Sequence, residues 1–382
     1  MMEDRNELEQ KIYAAWLDTI YWITSGTKYR LLAMAGSAQG IYELAEGQLA
    51  AVMGLQGCER FLQHRKRCTP QKVWDHLAEA GIGYTYCQAS GFPAKLAKIP
   101  DPPFGIFYRG RLPDERIPAV AVVGARKCSE YGRVMAERFA RGFAERGVDV
   151  ISGMAAGIDG ISQSAALKAG GSSYAVLGCG VDIVYPRSNE PLYRQLLESG
   201  GVLSEYPPRM EPRPALFPPR NRIISALSDV VLVVEAREKS GTLITVDMAL
   251  EQGREVYTVP GRCTDSLSMG CNRLIRQGAA AAFTPEDIID DMRWEAILNK
   301  PARRRQGQPP GNLSRAAQEV YAVLEMLPTA QDEIVARLRE NKSACTIPQI
   351  CQGLVELELK GFIRCRNRQY ERIWDEISDN IF

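Results

Sequence analysis

The stretch that decides the fold runs from residue 119 to residue 160, "AVAVVGARKCSEYGRVMAERFARGFAERGVDVISGMAAGIDG". It begins with a short apolar run that ends in glycine, continues with a helical pattern, and closes with a second apolar run, "VDVISG". Short runs that are continuously apolar indicate strands covered on both faces. A helix between two such strands predicts a βαβ unit of a parallel sheet.

The same alternation continues along the chain. The runs "SSYAVLG", "GVLSEY", "DVVLVVEA" and "REVYTVPG" predict further strands, and segments with helical patterns separate them. Strands of about five residues that alternate with helices of ten to fifteen are typical of a doubly wound sheet. The sequence therefore predicts an α/β fold with a Rossmann-like parallel sheet over residues 118–290.

Both flanks differ from this central pattern. Residues 1–80 read as small helices punctuated by Gly36, Gly40, Gly54 and Gly57, either a sterile-alpha-motif or helix-hairpin-helix unit or a plain helical bundle. Residues 81–117 form a connector whose many prolines exclude regular helix. Residues 299–312 are polar, basic and rich in proline and glycine, which predicts a flexible linker over residues 291–312. Residues 313–382 contain three helical patterns and a hairpin, which resembles a winged helix.

Composition limits the function. The net charge is +1, so any grip on nucleic acid must come from a local patch. No apolar run approaches the roughly 20 residues of a membrane span, and the acidic N-terminus does not match a signal peptide. The ten cysteines form no CxxC pair, and the chain has two histidines. We therefore expect reduced thiols, a cytoplasmic protein, no metal, no cofactor and no membrane contact.

The ends of the predicted strands are the places to look for a ligand, because ligands of such sheets bind outside the carboxyl ends of the strands. Neither a GxxxxGK[ST] nor a GxGxxG motif occurs there, which argues against P-loop hydrolysis and nicotinamide chemistry. Cations recur instead: Arg126, Arg220, Arg222 and Lys239. Two glycine-containing helix starts, "SGMAAGID" (152–159) and "SGT" (240–242), share the predicted edge. Together they predict an anion-binding crevice with several phosphate-sized subsites.

Three local expectations accompany this crevice. Asp159 is expected to cap the helix that follows it. The prolines of "FPPRNR" (217–222) are expected to hold an extended segment, with the helix beginning at about Asn221. Glu235 ends a buried strand, and an ion pair between it and one of the arginines remains open.

The motifs "VVGAR…SEYG", "SGMAAGIDGISQSAAL", "VLGCGVDIVYPRSNEPLY", "FPPRNRIISALSDVVLVVEA", "SGTLITVDMALEQGREVYTVPG" and "GCNRLIRQGA" follow one another in order. This order resembles the DprA (Smf) family of DNA-processing proteins from bacterial natural transformation, over about residues 90–285. "GAR" stands where that family often has a serine before the arginine. The resemblance implies a non-enzymatic protein that binds and protects single-stranded DNA, forms a homodimer and helps load the RecA recombinase.

The resemblance also assigns residues. The implied phosphate and single-stranded DNA contacts are Arg126, Ser152, Gly153, Met154, Ala155, Gly157, Phe217, Arg220, Asn221, Arg222, Lys239, Ser240, Gly241 and Thr242. Phe217 is either a base-stacking ring or a core residue fixed by Pro218. Leu274 and Ile275 are the implied apolar contacts of the dimer.

Two other functions compete with this interpretation. A phosphoribohydrolase-like enzyme is one, but Ile244 and Thr245 stand where its carboxylates would fall. A nucleotide-sensing regulator with a winged-helix output is the other. The C-terminal domain is left open between duplex DNA and protein, since its predicted recognition helix carries Glu356 and Glu358 against one cation, Lys360. The basic residues of its predicted wing are Arg364, Arg366, Arg368 and Arg372.

Overall fold

The computed structural model describes residues 2–298, 313–324, 329–341, 343, 345–360, 362–366 and 369–372. The chain divides into two compact units, Met1–Pro301 and Ala302–Phe382. Of the predicted linker, residues 299–312 lie outside the described residues. Residues 291–298 are described: Asp291 is the last residue of a helix, and Trp294–Ala296 form a short 3-10 turn. Trp294 is buried against the central sheet.

A nine-stranded sheet forms the centre of the first unit, and its strands in spatial order are β1-β2-β6-β5-β4-β3-β7-β8-β9. The strands are β1 Gly83–Tyr86, β2 Gly105–Gly110, β3 Ala119–Val123, β4 Asp149–Ser152, β5 Ser173–Val176, β6 Gly200–Ser204, β7 Val230–Val233, β8 Glu255–Thr258 and β9 Ala280–Ala281. All pairs from β6 to β9 are parallel. The six predicted strands and the predicted α/β class are therefore confirmed.

Helices cover both faces of the sheet. The helices of this unit are α1 Met2–Asp18, α2 Ser25–Ala35, α3 Ala38–Glu43, α4 Glu46–Arg67, α5 Pro70–Glu79, α6 Ala94–Ala97, α7 Glu130–Arg146, α8 Ile158–Lys168, α9 Glu190–Ser199, α10 Phe217–Leu227, α11 Gly241–Glu251, α12 Met269–Arg276 and α13 Pro285–Asp291. Along β3, Ala121 and Val123 pack into the core on the α10 side, whereas Val120 and Val122 pack on the α7 side. Burial on both faces explains why the strand is continuously apolar.

The predicted connector contributes two strands and a turn of helix. Strands β1 and β2 pair antiparallel with each other, and β2 pairs antiparallel with β6, so they extend the sheet. The expectation of no helix here is wrong at α6, which begins directly after Pro93. Proline is tolerated at the start of a helix because the first N–H groups lack partners within the helix.

The first 80 residues are helical, as predicted. Gly36 ends α2 in the left-handed conformation (φ 78°), and Gly54 (φ 75°) kinks α4. Gly40 and Gly57 lie inside helices, so the predicted breaks at these two glycines are wrong.

The start of α10 also differs from the prediction. The helix begins at Phe217, and Pro218 and Pro219 lie in its first turn instead of in an extended segment before Asn221. Both prolines fit because a first turn needs no N–H donors. This earlier start determines the directions in which Arg220 and Arg222 point.

The second unit contains three helices and a small antiparallel sheet in the order β10-β12-β11. Its elements are α14 Arg315–Val323, β10 Thr329–Ala330, α15 Gln331–Glu340, α16 Ile347–Leu359, β11 Ile363–Arg366 and β12 Gln369–Arg372. Val320, Ile334, Leu354 and Leu357 form the centre of its core. The three predicted helices and the hairpin are confirmed. The side chains of Arg366 and Arg372, and all of Arg368, lie outside the described residues.

Candidate functional site at the carboxyl edge of the sheet

The candidate crevice is built from segments that leave the sheet at one edge. Strands β6, β5, β4, β3 and β7 lie side by side in parallel, so the segments after them meet there. Arg126 follows β3, the turn 153–157 follows β4, and Lys239 follows β7. Arg220 lies on α10, which follows β6. The order of the strands thus brings together cations that are more than 100 residues apart in the sequence.

Phe217 lies at the centre of a cluster of cations and rings. The guanidinium carbon of Arg126 lies 5.4 Å from the centroid of the Phe217 ring, and that of Arg220 lies 5.9 Å away. The ring of Tyr185 lies 5.5 Å away with a tilt of 37°. Beneath Phe217, a methyl group on Gly178 would come within 2.8 Å of the ring. We call these five residues the Phe217 cluster.

Sequence reasoning missed Tyr185, whose side chain is 42% exposed beside Phe217. The available signal was an aromatic residue in the segment that follows a predicted strand toward the carboxyl edge. Phe217 itself is half-buried. An exposed ring and a half-buried ring beside a guanidinium suit a ligand with both π-faces and negative charge.

Arg220 is the buried cation of this cluster. It is 4% exposed, and its Nη1 donates to Gly153 O at 3.0 Å and to Val176 O. Burial lowers the pKa of Arg220 to about 10, with the charge of Asp159 opposing the shift. Its Nε has no partner among the described residues. Arg220 therefore stays charged at neutral pH while it braces the ends of β4 and β5.

Two backbone N–H groups of the turn 153–157 donate to side chains of the same chain. Gly153 N donates to Asp159 Oδ2 at 3.2 Å, and Met154 N donates to Gln163 Oε1 at 2.9 Å. Gly157 is the residue that caps α8, so the predicted capping role of Asp159 is wrong. Asp159 lies in the first turn, where its carboxylate can reach back to the preceding loop.

Two further residues predicted in this turn face inward. Ser152 Oγ donates to Val122 O at 2.6 Å, and the side chain of Met154 is fully buried. The amides of residues 155–157 have no acceptor within the described chain, so they are the donors left for an anion. Asn189 Nδ2 holds the turn by donating to Met154 O at 3.0 Å.

Gly157 is required by the fold of this turn. Its φ is +80°, a region that side chains rarely adopt, and a methyl group there would overlap the carbonyl oxygens of Ala125 and Arg126. The turn after β4 therefore packs directly on the backbone that carries Arg126. This contact fixes the position of the arginine's main chain relative to Phe217.

Arg222 departs from its predicted place in the crevice. Its Nη2 donates to Glu205 Oε1 at 2.7 Å, and its Nε donates to Asp101 O at 2.8 Å. Residues two apart on a helix do not share a face, so Arg220 and Arg222 point in different directions from α10. Burial raises the pKa of Glu205, but the charge and hydrogen bond of Arg222 outweigh this and hold that pKa below its ordinary value.

Among the residues that the structure describes, no arginine forms an ion pair with Glu235. It is buried and accepts hydrogen bonds from Ser129 N at 2.9 Å and from Ser129 Oγ. Ser129 is the N-cap of α7, where a carboxylate is stabilised by the helix dipole. The ion-pair alternative for Glu235 is therefore wrong.

The "SGT" segment forms the start of α11, as predicted. Ser240 Oγ accepts from Thr242 N at 3.2 Å and donates to Thr242 Oγ1 at 3.1 Å, while Lys239 and Gly241 are exposed. Asn221 is half-buried on α10. Within the described residues, no hydrogen bond or ion pair joins the "SGT" segment to the Phe217 cluster.

The residues predicted for a dimer contact are largely internal. Leu274 is 8% exposed and packs into the core on the α10 side of the sheet, and Ile275 is half-buried. Leu274 thus belongs to the core of its own chain, which argues against a role as an apolar dimer contact.

Three observations concern the expected reduced thiols, the metal and the membrane. All ten cysteines are free thiols. The described part of the chain contains no group of three or more His, Cys, Asp and Glu side chains arranged to hold a metal ion. None of its helices combines the length and apolar character needed to span a membrane.

Comparison with known proteins identifies relatives of both units. A family model described as DNA recombination-mediator protein A matches residues 84–293, and one described as DprA winged helix domain matches residues 304–366. Protein Smf of Escherichia coli K12 is 38% identical over 322 residues, which cover 84% of each chain. The DNA processing protein DprA of Streptococcus pneumoniae R6 is 41% identical over 203 residues, 53% of this chain and 72% of the relative.

Solved structures agree with these matches. The X-ray structure of DprA from Streptococcus pneumoniae has a TM-score of 0.65 at 33% identity, covering 74% of this chain and 97% of the other. DprA from Helicobacter pylori, whose structure is described in terms of a single-stranded DNA binding mode, has a TM-score of 0.50 at 28% identity. That match covers 56% of this chain and 96% of the other. None of these names carries a catalytic activity.

Proposed function

The chain belongs to the DNA recombination-mediator protein A family, also called DprA or Smf, and from this premise we propose that it binds single-stranded DNA at the Phe217 cluster. The observation that carries the proposal is the half-buried ring of Phe217 with the guanidinium groups of Arg126 and Arg220 within 6 Å of its centroid. A ring offers a stacking face to any base, and a guanidinium offers hydrogen bonds to phosphate.

The geometry favours an unpaired strand over a duplex. The bases of a duplex are stacked on their neighbours, so a ring set beside the floor of a crevice reaches a base face only when the base is free. Phosphate contacts carry no sequence information, and stacking is tolerant of sequence. We therefore expect weak sequence preference and an affinity that falls with salt.

Within this proposal some of the predicted contacts have a part and others do not. Arg126 and Lys239, both exposed, contact phosphates, and the free amides of residues 155–157 donate to one more phosphate oxygen. Arg220 supplies buried positive charge that strengthens the local potential. Arg222 is left out, because carboxylate and carbonyl oxygens already engage its guanidinium.

The carboxylates near the crevice support a role without catalysis. A general base must be able to reach a proton of the substrate. Asp159 is buried and accepts the Gly153 amide, while Glu235 is buried against Ser129. Both are therefore occupied by the chain itself. We propose a cytoplasmic, non-enzymatic homodimer that protects incoming single strands during transformation and passes them to the RecA recombinase.

Fluorescence anisotropy with the full chain tests the binding step. Labelled oligo-dT and a duplex of equal length are titrated at one fixed salt concentration. We expect the single strand to bind more tightly, and equal affinity for both would contradict the proposal. Light scattering of the same sample tests the dimer, for which a monomer at micromolar concentration is the opposing result.

A further inference from the structure

A cleft of about 300 Å³ lies at the same edge of the sheet as the Phe217 cluster. Its walls are Tyr21, in the turn between α1 and α2, and the loop after β6, residues 207–211 with Arg213. We propose that this cleft is a second subsite for the same DNA strand, so that the N-terminal helices contribute directly to binding. The inference rests on the proposed function.

The cleft and the Phe217 cluster have no lining residue in common, but the segments that form them are joined along the chain and by hydrogen bonds. One short 3-10 turn, Pro214–Leu216, separates Arg213 from Phe217, and Tyr206 OH donates to Leu216 O at 3.2 Å. The loop after β5 also contacts both the Phe217 cluster and the loop that lines the cleft. Its Gly178 packs under Phe217, and its Gly180 N donates to Met210 O at 2.9 Å. These links hold the wall of the cleft close to Phe217, and we infer that a strand bound at Phe217 continues into it.

Tyr21 offers an exposed ring on a rigid support. Its side chain is 52% exposed. The chain on either side is fixed, because Lys28 Nζ lies 2.7 Å from Asp18 Oδ1 in a buried ion pair. Ser25 Oγ donates to Glu205 Oε1 at 2.8 Å, the same carboxylate that pairs with Arg222. Because this backbone is already held, stacking on a base would need to order little more than the Tyr21 side chain.

This network gives Arg222 a function different from the predicted one. Through Glu205 it fastens the α1–α2 turn to the end of β6. Arg222 is therefore a positioning residue for Tyr21, whereas Arg220, on another face of α10, contributes charge to the Phe217 cluster.

The loop opposite Tyr21 presents cations in a constrained conformation. Arg209 has a φ of +64°, which is uncommon for a residue with a side chain, and its N–H donates to Asp182 Oδ1 at 2.8 Å. Such conformations concentrate at functional sites. Arg209 and Arg213 are both exposed, against one exposed carboxylate, Glu211.

The chemistry of the cleft matches that of the neighbouring cluster. Each has an aromatic ring that is at least partly exposed and two arginines nearby, and rings beside cations are the combination that binds bases and phosphates of a single strand. Because the two subsites are adjacent, a longer oligonucleotide occupies both and a short one occupies only the first. The occupant is therefore the continuation of the bound strand.

A length series of oligo-dT tests the inference with the full chain. Affinities of wild type, Tyr21→Ala, Tyr21→Phe and Arg213→Ala are measured from the shortest oligomer that binds to about 20 nucleotides. We expect Tyr21→Ala to weaken binding of long oligomers about tenfold and to leave the shortest unchanged. Tyr21→Phe keeps the ring and should bind like wild type, and Arg213→Ala should reduce affinity only for the longer oligomers.

The outcomes separate this inference from the proposed function. If wild type does not bind dT at all, the proposed function fails. If Arg126→Ala weakens binding but Tyr21→Ala matches wild type at every length, only the second subsite is refuted. An equal loss at all lengths, together with a lower melting temperature for Tyr21→Ala, would also refute it, because the residue would then act through folding.

Discussion

Arg222 on α10 and Glu205 at the end of β6 form an ion pair in which Nη2 lies 2.7 Å from Oε1, with both side chains largely shielded from solvent. The same carboxylate accepts the hydroxyl of Ser25, and the same guanidinium donates to the carbonyl of Asp101. One pair thus links the N-terminal helices, the connector and the sheet. We expect its main role to be in stability, and under the proposal above it affects DNA binding only through the position of Tyr21.

We expect Arg222→Ala to lower the free energy of unfolding by about 3–5 kcal/mol, because it leaves Glu205 without its cation in a poorly solvated place. Urea denaturation measures the change. Arg116→Ala is the control, since Arg116 pairs with Asp114 at the surface and its loss should leave the free energy of unfolding close to that of wild type. If Arg222→Ala is as stable as wild type but binds even the shortest oligonucleotides poorly, Arg222 contacts the DNA directly, as the sequence predicted.

Arg126 is exposed beside Phe217, so its removal should affect phosphate binding and leave folding unchanged. We expect Arg126→Ala to weaken binding of all single-stranded sequences alike. The slope of log K against log salt should become less negative by about 0.7 for each phosphate that the variant no longer neutralises. Anisotropy titrations at four or more salt concentrations give this slope. Arg116→Ala, an exposed arginine before the start of β3, is the matched control and should keep the wild-type slope.

The sheet could be predicted because each strand is covered on both faces and leaves a continuous apolar run. The strands β1 and β2 could not, since their apolar segments stand among prolines that mask strand patterns. The common edge of Arg126, Arg220 and Lys239 followed from the order of strands and helices. The direction of Arg222 did not follow, because it depends on α10 beginning at Phe217. In an extended segment residues two apart lie on the same side, whereas in the helix Arg220 and Arg222 lie on different faces.

The amides of the turn 153–157 mark another limit of the sequence. Glycines and a helix start predicted a cradle of free donors. The acceptors that take the first two amides, Asp159 and Gln163, lie on α8 itself, and only the folded turn brings them back to Gly153 and Met154. Tyr185 was missed for the same reason: only the folded chain brings it beside Phe217 at the start of α10, about 30 residues later in the sequence.

Phe217 can be tested by removing its ring while keeping apolar volume. Phe217→Leu should still cover Gly178 but remove the stacking face, and we expect dT binding to weaken by about 1–3 kcal/mol. Phe217→Tyr should retain most of the affinity. Phe143→Leu is the control, because Phe143 is fully buried under the sheet and should affect stability without changing dT affinity. Loss of stability with unchanged dT affinity in Phe217→Leu would make Phe217 a core residue.

Asp149 predicts an unusual dependence of stability on pH. It begins β4, is buried, and its Oδ2 has no partner among the described residues. Burial raises the pKa of Asp149 to about 7, with the charge of Arg111 opposing the shift. In the unfolded chain the same carboxyl has its ordinary pKa of about 3.9. Between about pH 4 and pH 7 the native state therefore binds more protons than the unfolded state.

Since the native state binds the extra proton, the free energy of unfolding should fall as pH rises through this window. A difference of about three pKa units corresponds to a loss of about 4 kcal/mol by pH 8. Asp149→Asn removes the titrating group, so the stability of the variant relative to wild type should increase from pH 4.5 to pH 8. Urea denaturation across this range measures it, with the exposed Asp290→Asn as control. The opposing result is a difference in the free energy of unfolding between each variant and wild type that does not change with pH. Asp149 would then be ionised in the native state throughout the range, with a partner or water that stabilises its charge.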